Sequence, residues 1–330
     1  MTVRVGVIGA GVMGADHVRL LHGFVSSAEV VAVADVDGAR ARAVASGVPG
    51  ALVSPDASAL IADSRVDAVV VASHDSTHAE LTVAAVRAGK PVLCEKPLAP
   101  TVAECVEVVR EDHKAGGGLV SVGFMRRFDP AYVALKAALG EGRCGRPRVV
   151  HCVSRGVTSA PGAVSEFSVT GSSIHEFDVV PWLLDSPVTA VSWHAPEGES
   201  APGLRDPQVM LLHTADGTLT TLETFLNARY GYEVRCEIAG ARGALRLADP
   251  ALVVSSLERN RSTGYPADWR PRFAEAYRLE LQAWIDSVDA GRPSPLASAR
   301  AGLTASAVAE AMIASMRDAG RTVPVSVPAV

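Results

Sequence analysis

Three segments carry residue types that can do chemistry: Gly9-Ala10-Gly11-Val12-Met13-Gly14, Cys94-Glu95-Lys96-Pro97 and Ser172-Ser173-Ile174-His175-Glu176-Phe177-Asp178. The first is a pattern that cradles phosphate, the second holds a cation, and the third holds a candidate proton acceptor. Hydride transfer from a hydroxyl to a nicotinamide dinucleotide requires these three things from a protein. Lys96 stands out further because the chain has only four lysines against 27 arginines.

In Gly9-x-Gly11-x-x-Gly14 the first glycine permits a tight turn off a strand, the second lets backbone approach a pyrophosphate, and the third lets helix and strand pack closely. Val12 and Met13 begin the helix, whose free N–H groups and partial positive charge face the phosphates. Asp35 follows 21 residues after Gly14, at the end of a second apolar run. A carboxylate there accepts hydrogen bonds from ribose hydroxyls and repels a 2′-phosphate, which favours NAD over NADP. Asp35 also suits a simple turn before Asp37-Gly38. Ser73 and His78 flank the end of a later strand, where the crevice of such a sheet lies. They join Glu95 and Lys96 as expected cofactor neighbours, although His78 also fits a helix start.

Strands and helices must position these groups. Apolar runs at Val3–Ile8, Glu29–Ala34, Ala68–Ala72, Pro91–Cys94 and Leu119–Val122 alternate with helical patterns at 13–24, 76–88 and 102–114. That alternation implies a parallel sheet covered by helices. After Gly123 the rhythm changes. Helical patterns at 129–139 and 171–184 flank a strand at 148–154, and then strands at 190–194, 208–213, 218–226, 233–238 and 244–247 follow without helices between them. Such a run implies a mostly antiparallel sheet. Long helices are expected at 272–290 and 299–319, and surface loops at 196–207 and 260–268. The predicted fold is therefore α/β, with a Rossmann domain over residues 1–123 and an α/β domain with a large open sheet over 124–330. The last helix is a candidate to fold back on the first domain.

Composition excludes several classes. A net charge of -5 and the absence of any Lys/Arg run make nucleic acid and anionic membranes poor partners, which leaves a small molecule. Asp, Arg, Gly or Pro interrupts every long apolar stretch, so no membrane span is expected. No signal-like segment is evident, and the cytoplasm is the expected location. The five cysteines are odd in number and lack Cys/His metal spacing, so neither a disulfide framework nor a metal site is expected.

The set GAGVMG, CEKPL (94–98), VGFMRRFDPAY (122–132), SIHEFDVVPWLL (173–184) and NARYGYEVRCEI (227–238) resembles the Gfo/Idh/MocA oxidoreductases, and within them the inositol dehydrogenases. The resemblance spans essentially the whole chain. It implies a Rossmann domain, then an α/β domain with an open sheet that often pairs copies into dimers or tetramers. It also implies that Lys96 contacts nicotinamide ribose and substrate, that the Lys96–Pro97 bond is often cis, and that His175 is the catalytic base. An imidazole suits that role, since its ordinary pKa lies near working pH. Met125, Arg126, Tyr232 and Tyr277 match segments bordering the substrate site.

Three positions depart from the resemblance. Where inositol dehydrogenases usually carry Asp, His and Asn, this chain aligns Gly171, Ser154 and Gly156. All three exchanges remove bulk and hydrogen-bonding capacity, from which a widened pocket and a substituted cyclitol or sugar substrate are expected. Pro181 replaces a common Arg and is expected to kink the helix after His175. The readings left open are an NAD-dependent cyclitol dehydrogenase, a hydrolase or epimerase using trapped NAD without net redox, and a sensor of dinucleotide and sugar. Lys96 and His175 favour the first, because a binding module needs neither.

Overall fold

The computed structural model describes residues 2–248 and 253–330. The chain divides into two compact units. The first comprises Met1–Phe128, Glu275–Ser306 and Val327–Val330, and the second Asp129–Ala274 and Ala307–Ser326.

The first unit begins with β1 (Val3–Ile8), α1 (Val12–Gly23), β2 (Ala28–Ala34), α2 (Gly38–Ala45), β3 (Leu52–Val53) and α3 (Ala57–Ala62). It continues with β4 (Ala68–Val71), α4 (His78–Arg87), β5 (Val92–Glu95), α5 (Val102–Lys114) and β6 (Val120–Gly123). These strands pair in parallel in the order β6-β5-β4-β1-β2-β3. β4, β5 and β6 are buried at every residue, as a sheet covered on both faces requires. Burying a Val or Leu side chain there contributes about 1.5–3 kcal/mol. The spacing of apolar residues did not reveal α2 or α3, which are short and Ala-rich. Their N-termini are instead fixed by Asp37, which accepts from the Ala39 and Arg40 amides, and by Asp56, which accepts from Ala59. α5 starts with a reciprocal capping box between Thr101 and Glu104.

The second unit holds α6 (Pro130–Gly140), β7 (Pro147–Arg155), a short helix α7 (Ser165–Phe167), a π-helical turn at Ser168–Ser173, α8 (Ile174–Leu184), β8 (Val188–His194) and β9 (Gln208–Thr214). Then come β10 (Leu219–Phe225), β11 (Glu233–Gly240), β12 (Gly243–Arg246), β13 (Val254–Leu257) and β14 (Asn260–Thr263). The remaining elements are α9 (Trp269–Asp289), β15 (Ala297–Ser298), α10 (Ala299–Arg317) and β16 (Val323–Pro324). β15 adds an antiparallel edge strand to the first unit's sheet, on β6. The second unit's sheet runs β12-β11-β7-β10-β9-β8-β16, antiparallel except where β10 pairs with β7. Burial alternates along β9 and β10, so one face of the sheet is packed and the other open.

Two local expectations change. Residues 260–263 form a strand rather than loop: β14 pairs with β13 in a two-stranded hairpin. Its sequence Asn-Arg-Ser-Thr is exposed throughout, so no apolar alternation marks it. The helix expected from Gly171 starts earlier and passes through the π-turn, where bonds run i to i+5 and widen the helix. Pro181 lies inside α8, which continues to Leu184.

Candidate active site

The glycine motif shows what each glycine is for. Gly9 has φ +98, and a Cβ there would lie 2.5 Å from the Ala72 backbone. A Cβ on Gly14 would lie 1.8 Å from the Gly9 carbonyl oxygen, so only glycine lets α1 sit this close to β1. At Gly11 a Cβ would meet nothing within 4 Å, and this is the face left free for a ligand. Gly11 caps α1 without a side-chain bond, and the first turn holds no acidic residue. The Val12 and Met13 end of the helix thus presents amides and the positive end of its dipole to an anion. These residues fit a dinucleotide's pyrophosphate.

Asp35 forms the turn foreseen for it. Its Oδ2 accepts from the Ala10 amide at 2.6 Å, and its Oδ1 accepts from the Asp37 amide at 2.8 Å. The carboxylate thereby holds the glycine loop and the turn after β2 together. Each oxygen keeps a further lone pair for a ribose hydroxyl.

Ser73 follows β4 and shares a 2.7 Å hydrogen bond with the Thr77 hydroxyl. His78 is only 2 % exposed. Its Nδ1 lies 2.7 Å from the Pro97 carbonyl oxygen and its Nε2 3.1 Å from that of Ser73. It is therefore a brace between the start of α4 and the turn that carries Lys96. Both facing atoms are acceptors, and only the doubly protonated ring donates to both. Burial opposes that charge, but the Cys94 sulfur and the two carbonyls outweigh it and lift the imidazole to about 9. A folded-state pKa above the unfolded value contributes stability that is complete below about pH 6.5 and lost as pH rises through about 9. Chemical denaturation across this range is expected to show that decline, and His78→Gln should flatten it.

Glu95 ends β5 and is 6 % exposed, its carboxylate turned inward. His17 Nε2 lies 2.7 Å from Glu95 Oε1, and the Lys96 amide donates to Oε2 at 3.2 Å. The Lys96–Pro97 bond is cis. Burial holds the Lys96 ammonium below the usual lysine range. Glu95 opposes this, the Arg126 guanidinium adds to it, and Asp75 opposes it more weakly. Met125 and Arg126 follow β6 in a 3-10 turn and are both buried. Tyr277 is also buried in this unit, edge-on to His17 with centroids 6.0 Å apart.

In the second unit His175 lies in the first turn of α8 and is largely buried. Ser154, on the packed face of β7, pairs in register with Thr224 of β10. Thr224 shares a 2.8 Å hydrogen bond with the Ser173 hydroxyl, two residues before His175. Ser154 and the helix that carries His175 are thus gathered on one face of the sheet. Gly156 lies just past β7, donating to the Phe225 carbonyl at 2.8 Å and accepting from Ala228 at 3.0 Å. Tyr232 donates its amide to Pro266 and packs its ring edge-on against Phe273.

The two glycines do not simply enlarge a pocket. A Cβ on Gly171 would lie 2.9 Å from the Phe167 ring, and one on Gly156 3.0 Å from the Leu226 carbonyl oxygen. The space beside Gly171 already holds an aromatic ring, itself 47 % exposed. The sequence also passed over His17. Its place three residues after Gly14, on the buried side of α1, was the available signal, but spacing alone does not separate a functional histidine from a core one.

Residues 3–124 match the model of an oxidoreductase family with an NAD-binding Rossmann fold, and residues 136–326 match that family's C-terminal alpha/beta domain. The chain belongs to the Gfo/Idh/MocA family. Within this family it is 54% identical over 333 residues to inositol 2-dehydrogenase 2 of Paenarthrobacter aurescens, covering 99% of each chain. It is 49% identical to inositol 2-dehydrogenase 1 of Saccharopolyspora erythraea, covering 96% of this chain and 95% of that one. Among solved structures, myo-inositol dehydrogenase of Lactobacillus casei in complex with NAD(H) and myo-inositol matches with a TM-score of 0.95 at 35% identity, covering 100% of this chain and 98% of that one.

The expectations of no metal, disulfide or membrane span were sequence readings. Among the described residues, all five cysteines are free and buried, no cluster has metal-ligand composition, and no helix is long and apolar enough to cross a membrane.

Proposed function

We propose that this protein is an NAD-dependent inositol 2-dehydrogenase that oxidises a secondary ring hydroxyl of a cyclitol to the ketone. The observation that carries this reading is identity to inositol 2-dehydrogenases along the full chain, joined to a glycine cradle with an open face at Gly11. When bound, NAD supplies the hydride acceptor, nicotinamide C4. The remaining work falls to the chain. His175 takes the hydroxyl proton as the carbon–hydrogen bond breaks, and the Lys96 ammonium stabilises the alkoxide character that develops on the oxygen. Ser154, Gly156, Gly171 and Tyr232, with Met125, Arg126 and Tyr277, are assigned to the substrate site from the family resemblance.

The finer substrate reading is a substituted cyclitol. The Phe167 ring lies against Gly171, four residues before His175, and an aromatic surface there suits a C–H-rich or alkylated ring edge better than one more hydroxyl. The proposed assembly is a homo-oligomer, a dimer or tetramer, formed through the open face of the second unit's sheet. There Val149, Val153, Leu211 and Phe225 are only partly covered. Sedimentation velocity checks the assembly, and the cytoplasm is the proposed location.

The deciding experiment adds NAD to purified protein with myo-inositol, O-methylinositols, aminocyclitols and sugars, and follows NADH absorbance. NADH accumulating in proportion to cyclitol is the expected result. Product without net NADH points to a hydrolase or epimerase, and binding without turnover to a sensor. Efficient oxidation of myo-inositol with no gain from substituents removes the substituted-cyclitol reading alone.

A further inference from the structure

Glu95 is a buried carboxylate, and a buried charge survives only with partners. Its partners come from three elements of the first unit. His17 on α1 holds Oε1, the side chains being 1% and 8% exposed. The Lys96 amide holds Oε2. β6 runs alongside, where a Cβ on Gly123 would lie 3.4 Å from the carboxyl, an ordinary contact distance. The Tyr277 ring of α9 stands edge-on against His17 at 75° and fixes the imidazole in turn.

We propose that His17 is a positioning residue: by holding the Glu95 carboxylate it fixes the backbone of Lys96 and keeps an anion beside the Lys96 ammonium. This rests on the reading of Lys96 given above. It links α1, whose N-terminus forms the phosphate cradle, to the lysine through two side chains 78 positions apart in sequence. Burial drives the Glu95 carboxyl toward protonation. The hydrogen bond and charge of His17, then the charge and amide of Lys96, outweigh it and hold the group below the usual carboxylate range. Glu95, Arg126 and Asp75 are among the charged groups acting on Lys96, and of these three Glu95 acts most strongly. Without His17 the Glu95 carboxylate takes a proton more readily, and Lys96 then loses the anion that favours its charged form.

The test reads Lys96 directly and without turnover. The chain's four lysines, reductively methylated with 13C, give few enough NMR resonances to titrate one by one, and Lys96 is the one missing in Lys96→Arg. In the protein without NAD, His17→Ala and Glu95→Gln are each expected to move the Lys96 midpoint to lower pH by about one unit. His17→Gln, whose amide can still donate to Glu95, should restore most of it. In turnover, the alkaline limb of kcat/KM should shift the same way in both variants. A Lys96 midpoint unchanged in Glu95→Gln, or unchanged in a folded His17→Ala, overturns the proposal and leaves the pair as packing alone. Should His17→Ala fail to fold, Glu95→Gln against the wild type decides. A wild type that yields no NADH with any cyclitol defeats the proposed function, while the NMR titration still decides this one.

Discussion

Lys96→Ala is expected to lower kcat for cyclitol oxidation by about 10²–10³, the loss typical of removing one group that stabilises a developing oxyanion. NAD affinity should stay within a few fold, because the residues proposed to hold the dinucleotide's pyrophosphate and adenosine ribose, the glycine cradle and Asp35, are built without the lysine. NADH absorbance and calorimetric NAD titration separate the two effects. The pH profile adds a second expectation. Burial and Arg126 hold the ammonium below the usual lysine range, so activity should fall on the alkaline side earlier than an ordinary lysine, near 10.4, would impose. Lys96→Arg carries a charge that does not titrate there, and its residual activity should lack that limb. Turnover unchanged in Lys96→Ala would remove the lysine from the mechanism.

His175→Ala is expected to cost about 10²–10⁴ in kcat, the range for losing a positioned general base. Two signatures distinguish this from loss of fold. The residual rate should climb with pH as hydroxide substitutes for the imidazole. The isotope effect with cyclitol deuterated at the reacting carbon should grow as chemistry becomes the slow step. A loss below about tenfold would place the base elsewhere, and Asp178, three residues on along α8 and buried with it, would be the next group to replace.

Local signals were legible. The positive φ at Gly9, the contact at Gly14 and the open approach at Gly11 are properties of one strand–turn–helix, so fixed spacing records them, whereas the approach of the Ala72 backbone to Gly9 is a tertiary contact. Lys96 and His175 stood out through the residues beside them. The strands of the first sheet were readable as apolar runs because both faces are buried, whereas β14 was not, being polar and exposed on both.

Sequence by itself determined the α/β class and the glycine turn of the NAD-binding domain, because these depend on residues close together along the chain, while Lys96 and His175 are proposed for the chemistry on the family resemblance. Tertiary structure alone decided that His78 is a buried brace and that Glu95 faces His17. It also decided that Glu275–Ser306 belongs to the first unit. Such contacts join residues many positions apart, and what selects them is the cost of burying a polar group without a partner, which leaves no periodic mark in the sequence.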